Sequence, residues 1–324
     1  RGARTSTHMN RRHLACLVLS ALLLVPACST TPEISPTPIQ LLAAAEQQLA
    51  DKEFDSAIAT LAPLAERQCP KRLRDRRDLI IAKAELAREN PWEAFLALEE
   101  FSTLYPHSDL RDQAIEVIWD AGETLIGSDG GFLFFWSDKR AGRTVLEHLI
   151  SHFPETQRLA DALRILGDQA FEDTDYELAQ LRYRDIIQSR PDSHWRFYAQ
   201  FRYAMSIVAS LRGSDYDLNR MGQAVGELRA FLGTNPESPQ MLAQCNAALL
   251  KVMTWQVQRH LDVAEYYKTL NSAEGIRHHL RLATREDFVN IPGYARALKL
   301  RNEFEANNPT GTTDIAALQA RGER

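Results

Sequence analysis

Four prolines punctuate an otherwise helical hydrophobic pattern: Pro106, Pro154, Pro191 and Pro236. Counting back from each gives the same three positions. Twelve residues before stand Ala94, Gly142, Ala179 and Ala224, all small. Eight before stand Leu98, Leu146, Tyr183 and Leu228, and five before stand Phe101, Leu149, Ile186 and Phe231, all large and apolar. Spacings of four and three put these residues on one face of a helix. The small position lets a neighbouring helix approach closely, and the proline ends the helix because it lacks an N–H. Two positions after each proline stands a hydroxyl, on Ser108, Thr156, Ser193 and Ser238, suited to capping the next helix.

The pattern predicts one helix written four times, and it matches the second helix of a tetratricopeptide repeat, whose period is 34 residues. One unit also fits in its first helix, through Leu163, Leu166 and Gly167, with Ala170 where an aromatic is usual. An earlier, looser copy holds Ala57, Leu61, Leu64 and a displaced Pro70. The expected fold is therefore all-α, a tetratricopeptide-like solenoid of about five helix pairs over residues 39–305. The prolines are spaced by 48, 37 and 45 residues, so insertions are expected at 127–142 (GSDGGFLFFWSDKRAG) and 213–218 (GSDYDL). Met241 to Leu270 holds no Gly or Pro and reads as two helices, or as one with an irregularity near Trp255. Ser272 to Phe304 is helical but fits poorly, and 306–324 reads as a flexible tail.

The N-terminal pattern is different in kind. From Met9, the expected true start, Arg11 and Arg12 precede an apolar run from Leu14 to Val25 that ends at Pro26-Ala27-Cys28. A run of about 12 residues is too short to span a bilayer, which takes about 20. Charge, apolar stretch and small residue together have the form of a signal peptide over 1–27. Val25-Pro26-Ala27-Cys28 resembles a lipobox, with Pro26 in place of its usual small or aliphatic residue; the resemblance implies Cys28 as the lipid attachment site. Residues 28–38 then form a proline-rich tether. Ser29 after the cysteine resembles the outer-membrane sorting class, giving a lipid-anchored protein at the periplasmic face of the outer membrane. A plain secretory signal in which Cys28 is incidental is the alternative.

Composition narrows the functions. The hydrophobic content of 44% supports a core, and a net charge of −5 with mixed signs gives no electrostatic case for nucleic acid. Cys69 and Cys245 lie far apart without metal-like spacing and read as small buried apolar residues rather than as a disulfide.

Several segments together resemble the BamD family, the repeat lipoproteins of the outer-membrane barrel assembly machinery. They are the lipoprotein start, the turns Phe54-Asp55-Ser56-Ala57, Asp175-Tyr176-Glu177-Leu178-Ala179 and Asp215-Tyr216, and Val263-Ala264-Glu265-Tyr266-Tyr267-Lys268. Two features depart from that pattern: the 127–142 insertion, and Phe288-Val289-Asn290-Ile291-Pro292 where a Tyr-Pro-x-Ser/Thr ending is expected. The resemblance implies a non-enzymatic scaffold that binds the barrel-inserting subunit and unfolded barrel segments. An adaptor for envelope constriction or peptidoglycan synthesis is the first alternative, and a lipoprotein enzyme is the second.

Catalytic constellations are sparse. There is no Gly-rich phosphate loop, Gly-x-Ser-x-Gly or His-Glu-x-x-His, so no cofactor, metal or small-molecule substrate is expected. His148 and His152 are four apart but lack a third ligand, so a solvated helix face is expected. His278-His279 reads the same way, and Glu172-Asp173-Thr174-Asp175 reads as a helix-to-helix turn. The unusual local feature is Phe132-Leu133-Phe134-Phe135-Trp136. It either folds back onto the helices or docks a partner or a membrane.

Overall fold

The computed structural model describes residues 36–65, 68–127 and 138–309. Those residues are all-helical, with no strand, and the helices pack in adjacent pairs. In chain order they are α1 (Pro38–Ala50), α2 (Phe54–Leu61), α3 (Arg74–Ala87), α4 (Pro91–Leu96), α5 (Phe101–Leu104), α6 (Arg111–Gly127), α7 (Asp138–His152), α8 (Leu159–Glu172), α9 (Tyr176–Ser189), α10 (Arg196–Ser210), α11 (Leu218–Gly233), α12 (Pro239–Thr269), α13 (Ala273–Ala283) and α14 (Tyr294–Asn307). The core is a file of four apolar clusters rather than one centre. They follow the chain from α1–α3, through α3–α8 and α8–α10, to α10–α14. Burying a Leu- or Phe-sized side chain contributes about 1.5–3 kcal/mol, so each helix is held mainly by its neighbours in sequence.

All twelve positions counted back from the four prolines are buried. The small ones sit where helices meet. A Cβ on Gly142 would lie 2.9 Å from the backbone N of Ile126 and 3.0 Å from the carbonyl O of Gly122, so α6 and α7 touch backbone to backbone. A Cβ on Gly167 would meet the Tyr183 ring at 2.8 Å, and one on Gly122 would meet Leu146 Cδ2 at 2.8 Å.

The turn inside four helix pairs is the same structure each time. Lys52, Glu89, Thr174 and Asn271 each lie two residues past a helix end, with φ of 64°, 63°, 61° and 51°. Their N–H groups donate to the carbonyls of Leu49, Leu86, Phe171 and Lys268. The next residues, Glu53, Asn90, Asp175 and Ser272, donate to Gln48, Glu85, Ala170 and Tyr267. This pair of bonds satisfies the carbonyls that a helix end leaves open. Asn235, with φ of 52°, begins the same turn after α11, but Pro236 has no N–H for the second bond and the chain leaves for the next pair instead.

Several local expectations need correction. Of the four hydroxyls that follow the prolines, only Ser238 caps a helix directly, its Oγ accepting from Met241 N at 3.3 Å. Ser108, Thr156 and Ser193 accept from the N–H two residues on, and so fix a turn just ahead of α6, α8 and α10. Of the two readings of Met241 to Leu270, the single helix is the one found: α12 runs 31 residues, Pro239–Thr269, and stays helical through Trp255. The 127–142 insertion ends earlier than expected, because α7 begins at Asp138, where an acidic residue favours a helix N-terminus. Helix α14 runs to Asn307, two residues into the expected tail. Cys69 and Cys245 are free and buried, in different clusters.

Candidate functional site

Cys28 and Phe132 to Trp136, the residues singled out from sequence, lie outside the described residues. The described ends of the aromatic segment, Gly127 and Asp138, close α6 and open α7. Between those ends and α8 runs a groove of about 650 Å³, lined by Glu123, Arg143, Arg164, Asp168 and Asp173 among others. Its charges are paired: Arg143 on α7 bridges to Asp173 at the end of α8 at 2.5 Å, and within α8 Arg164 bridges to Asp168 one turn on at 3.1 Å. Exposed pairs of this kind contribute only about 0–1 kcal/mol each, so they orient side chains more than they stabilise the fold.

Asp168 is the hub that sequence reasoning missed. Its carboxylate accepts from Tyr183 Oη at 2.7 Å and Tyr198 Oη at 2.6 Å, and Arg202 Nε lies 3.5 Å away. Arg202 also donates to Tyr183 Oη at 3.1 Å and lies over the Phe171 ring at 4.0 Å. Three helices, α8, α9 and α10, thus meet on one carboxylate. Burial, with the Asp168 hydrogen bond behind it, raises the Tyr198 phenol to about 12 and the Tyr183 phenol higher still. Both phenols stay protonated donors at neutral pH, so the hub ties the three helices together through hydrogen bonds to the Asp168 carboxylate. Beyond Arg164 one turn away, its partners Tyr183, Tyr198 and Arg202 stand 15, 30 and 34 residues downstream, so the local sequence does not mark the hub.

The other histidine and acidic candidates are also placed. His148 is not on a solvated face: its ring is half-buried, edge-on to Phe95 at 5.1 Å and stacked on His152 at 4.0 Å. Burial pushes its pKa down to about 4. His279 points inward, its Nδ1 3.2 Å from Nδ1 of the buried His260 and its ring stacked on Tyr267. Among the described residues no three His, Cys, Asp or Glu side chains converge as a metal site. In the acidic run, Asp175 caps α9 by accepting from Leu178 N at 3.1 Å and Asp173 pairs with Arg143, which is what a helix-to-helix turn requires.

Side chains also link successive pairs. Four of these links span close to 34 residues: Ser108 donates to Asp75, Arg190 to the Thr156 carbonyl, Trp195 to Asp161 and Arg182 to Glu147, across 33, 34, 34 and 35 residues. Others span 30 residues, from Lys83 to Gln113, or 44, from Arg111 to Glu155. No described helix is long and apolar enough to cross a membrane. No protein-family model matches the chain, and no curated protein matches it significantly.

Proposed function

We propose that this chain is a lipid-anchored scaffold at the periplasmic face of the outer membrane. In this proposal a tetratricopeptide-like solenoid holds subunits of the barrel assembly machinery, and unfolded barrel segments with them. The observation that carries the repeat is the recurring turn. Four helix pairs are joined by the same two hydrogen bonds around a left-handed residue. In three of them a buried alanine, Ala57, Ala94 or Ala179, stands five residues after that left-handed residue. Four of the cross-links between pairs, at 33 to 35 residues, agree with the 34-residue period. A stack of such pairs presents long surfaces for other polypeptides and needs no catalytic residues to act.

The anchor and compartment rest on the sequence: the short apolar run, Ala27-Cys28 and the prolines after it. The choice of machinery rests on the resemblance of the Asp-Tyr turns and of Val263 to Lys268 to the BamD family. In α12 that last segment has a packing role, because the Tyr267 ring occupies the space a side chain on Gly275 would need.

Affinity purification of the full chain from native membranes tests the proposal. A barrel-inserting subunit should come with it, and Cys28→Ser should release the chain from the membrane or leave it unprocessed. Recovery of peptidoglycan-synthesis or constriction proteins in place of an insertase would overturn the assignment. Replacing Phe134 and Phe135 with Ser separates the two readings of the aromatic segment. Lost co-purification at unchanged melting temperature marks it as a docking site, and a lower melting temperature with the partner retained marks it as internal packing.

A further inference from the structure

A second groove lies at the other end of the fold, between α11 and α13, with α12 as its floor. It encloses about 530 Å³. Two polar side chains on one face of α12 line it, Gln256 and His260, exposed by only 8% and 7%. His260 spends its Nδ1 on His279. The Gln256 amide makes no hydrogen bond within the protein, yet it is not sealed off: its polar atoms reach the groove while the rest of the side chain is buried. One wall is the exposed face of α11 at Gly222 and Gly226, where an added Cβ would meet nothing within 4 Å. Glycine inside a helix costs about 1 kcal/mol relative to alanine, and here no neighbouring helix uses the space. The rim carries Arg229 and Arg285, which share one carboxylate, Asp287, at 3.6 and 3.4 Å. Among the residues that line the groove, two guanidinium groups thus face one carboxylate.

We propose that this groove binds one extended acidic segment of a partner polypeptide, with Gln256 reading a peptide group and Arg229 and Arg285 meeting its carboxylates. Each feature selects for that class. A side-chain amide offers a donor and an acceptor together, which is what a peptide bond presents in return. Gln256 and His260 are one turn apart, about 6 Å along the helix. Same-edge groups of an extended chain repeat at about 6.6 Å, so one strand can satisfy both. The bare glycine wall lets a main chain come close, and the guanidinium pair favours carboxylates. The proposal is independent of the membrane and machinery assigned above.

Selection of a random decapeptide library on the full chain tests it. Acidic peptides should be enriched, and the most enriched one should bind Gly226→Leu and Gln256→Leu at least tenfold more weakly. Neither change should lower the melting temperature, since one replaces an exposed helical glycine and the other removes an unpartnered amide. Arg229→Glu, at the exposed rim, should weaken the same peptide and keeps the test valid if either helix variant loses stability. Enrichment of basic peptides, no enrichment, or equal binding by all three variants would overturn the proposal.

Discussion

The α6–α7 and α8–α9 pairs fill the same slot in different ways. In each, a glycine on the first helix faces the large residue eight before the proline: Gly122 faces Leu146, and Gly167 faces Tyr183. The α6–α7 slot is apolar, and its helices approach until Gly142 touches backbone. The α8–α9 slot holds a phenol whose hydroxyl reaches Asp168 and, through it, Tyr198 and Arg202 on α10. The fold asks this position for volume against a glycine. What the side chain carries beyond volume decides whether the pair is bound to the next one by a hydrogen-bonded hub.

The largest expected effect removes the volume. Leu146→Ala should cost about 2–5 kcal/mol, because a fully buried leucine leaves a cavity between two rigid backbones. Thermal or denaturant unfolding reads it, and a loss well under 1 kcal/mol would mean the slot collapses freely. Next comes the facing glycine. Gly167→Ala should cost about 1–3 kcal/mol by overpacking. The Tyr183 ring cannot retreat, since Asp168 and Arg202 hold its hydroxyl. Gly122→Ala meets the free end of Leu146, which can turn aside, so the gain of about 1 kcal/mol from alanine in a helix should offset much of the strain. Equal losses at both glycines would erase the distinction between the slots. Tyr183→Phe is smaller, about 0.5–1.5 kcal/mol, the worth of one hydrogen bond, and it should leave α8–α9 packed while loosening α10. Amide exchange along α10 measures that loosening; exchange unchanged from the parent would make the hub incidental.

Sequence spacing was enough for the buried faces, because a period set by helix geometry survives in residue type: small at Ala94 and Ala179, large at Leu146 and Phe231. The turns were half legible. Asp175 reads as a cap, but Lys52, Glu89 and Thr174 take a left-handed conformation usually given to glycine, and no residue-type rule marks them. Helix α12 read as two helices or as one with an irregularity because its apolar stripe changes face near Trp255. The change accompanies a change of partner along one continuous helix, from α11 toward α13. His148 was misplaced because spacing alone cannot distinguish a face on water from a face on Phe95. Asp168 and the α11–α13 groove were illegible, since both are assembled from residues that only the fold brings together.

The central claim is that one helix-pair unit recurs with its small position buried at each copy. Thermal unfolding of five single variants tests it most directly: Ala94→Leu, Ala179→Leu and Ala224→Leu at that position, against Ala44→Leu and Ala230→Leu at exposed sites on α1 and α11. Overpacking should cost the first three about 1–3 kcal/mol each, while the exposed pair, exchanging two good helix formers, should stay near the parent. Melting temperatures that fall alike in both sets, or in neither, would contradict the recurring unit.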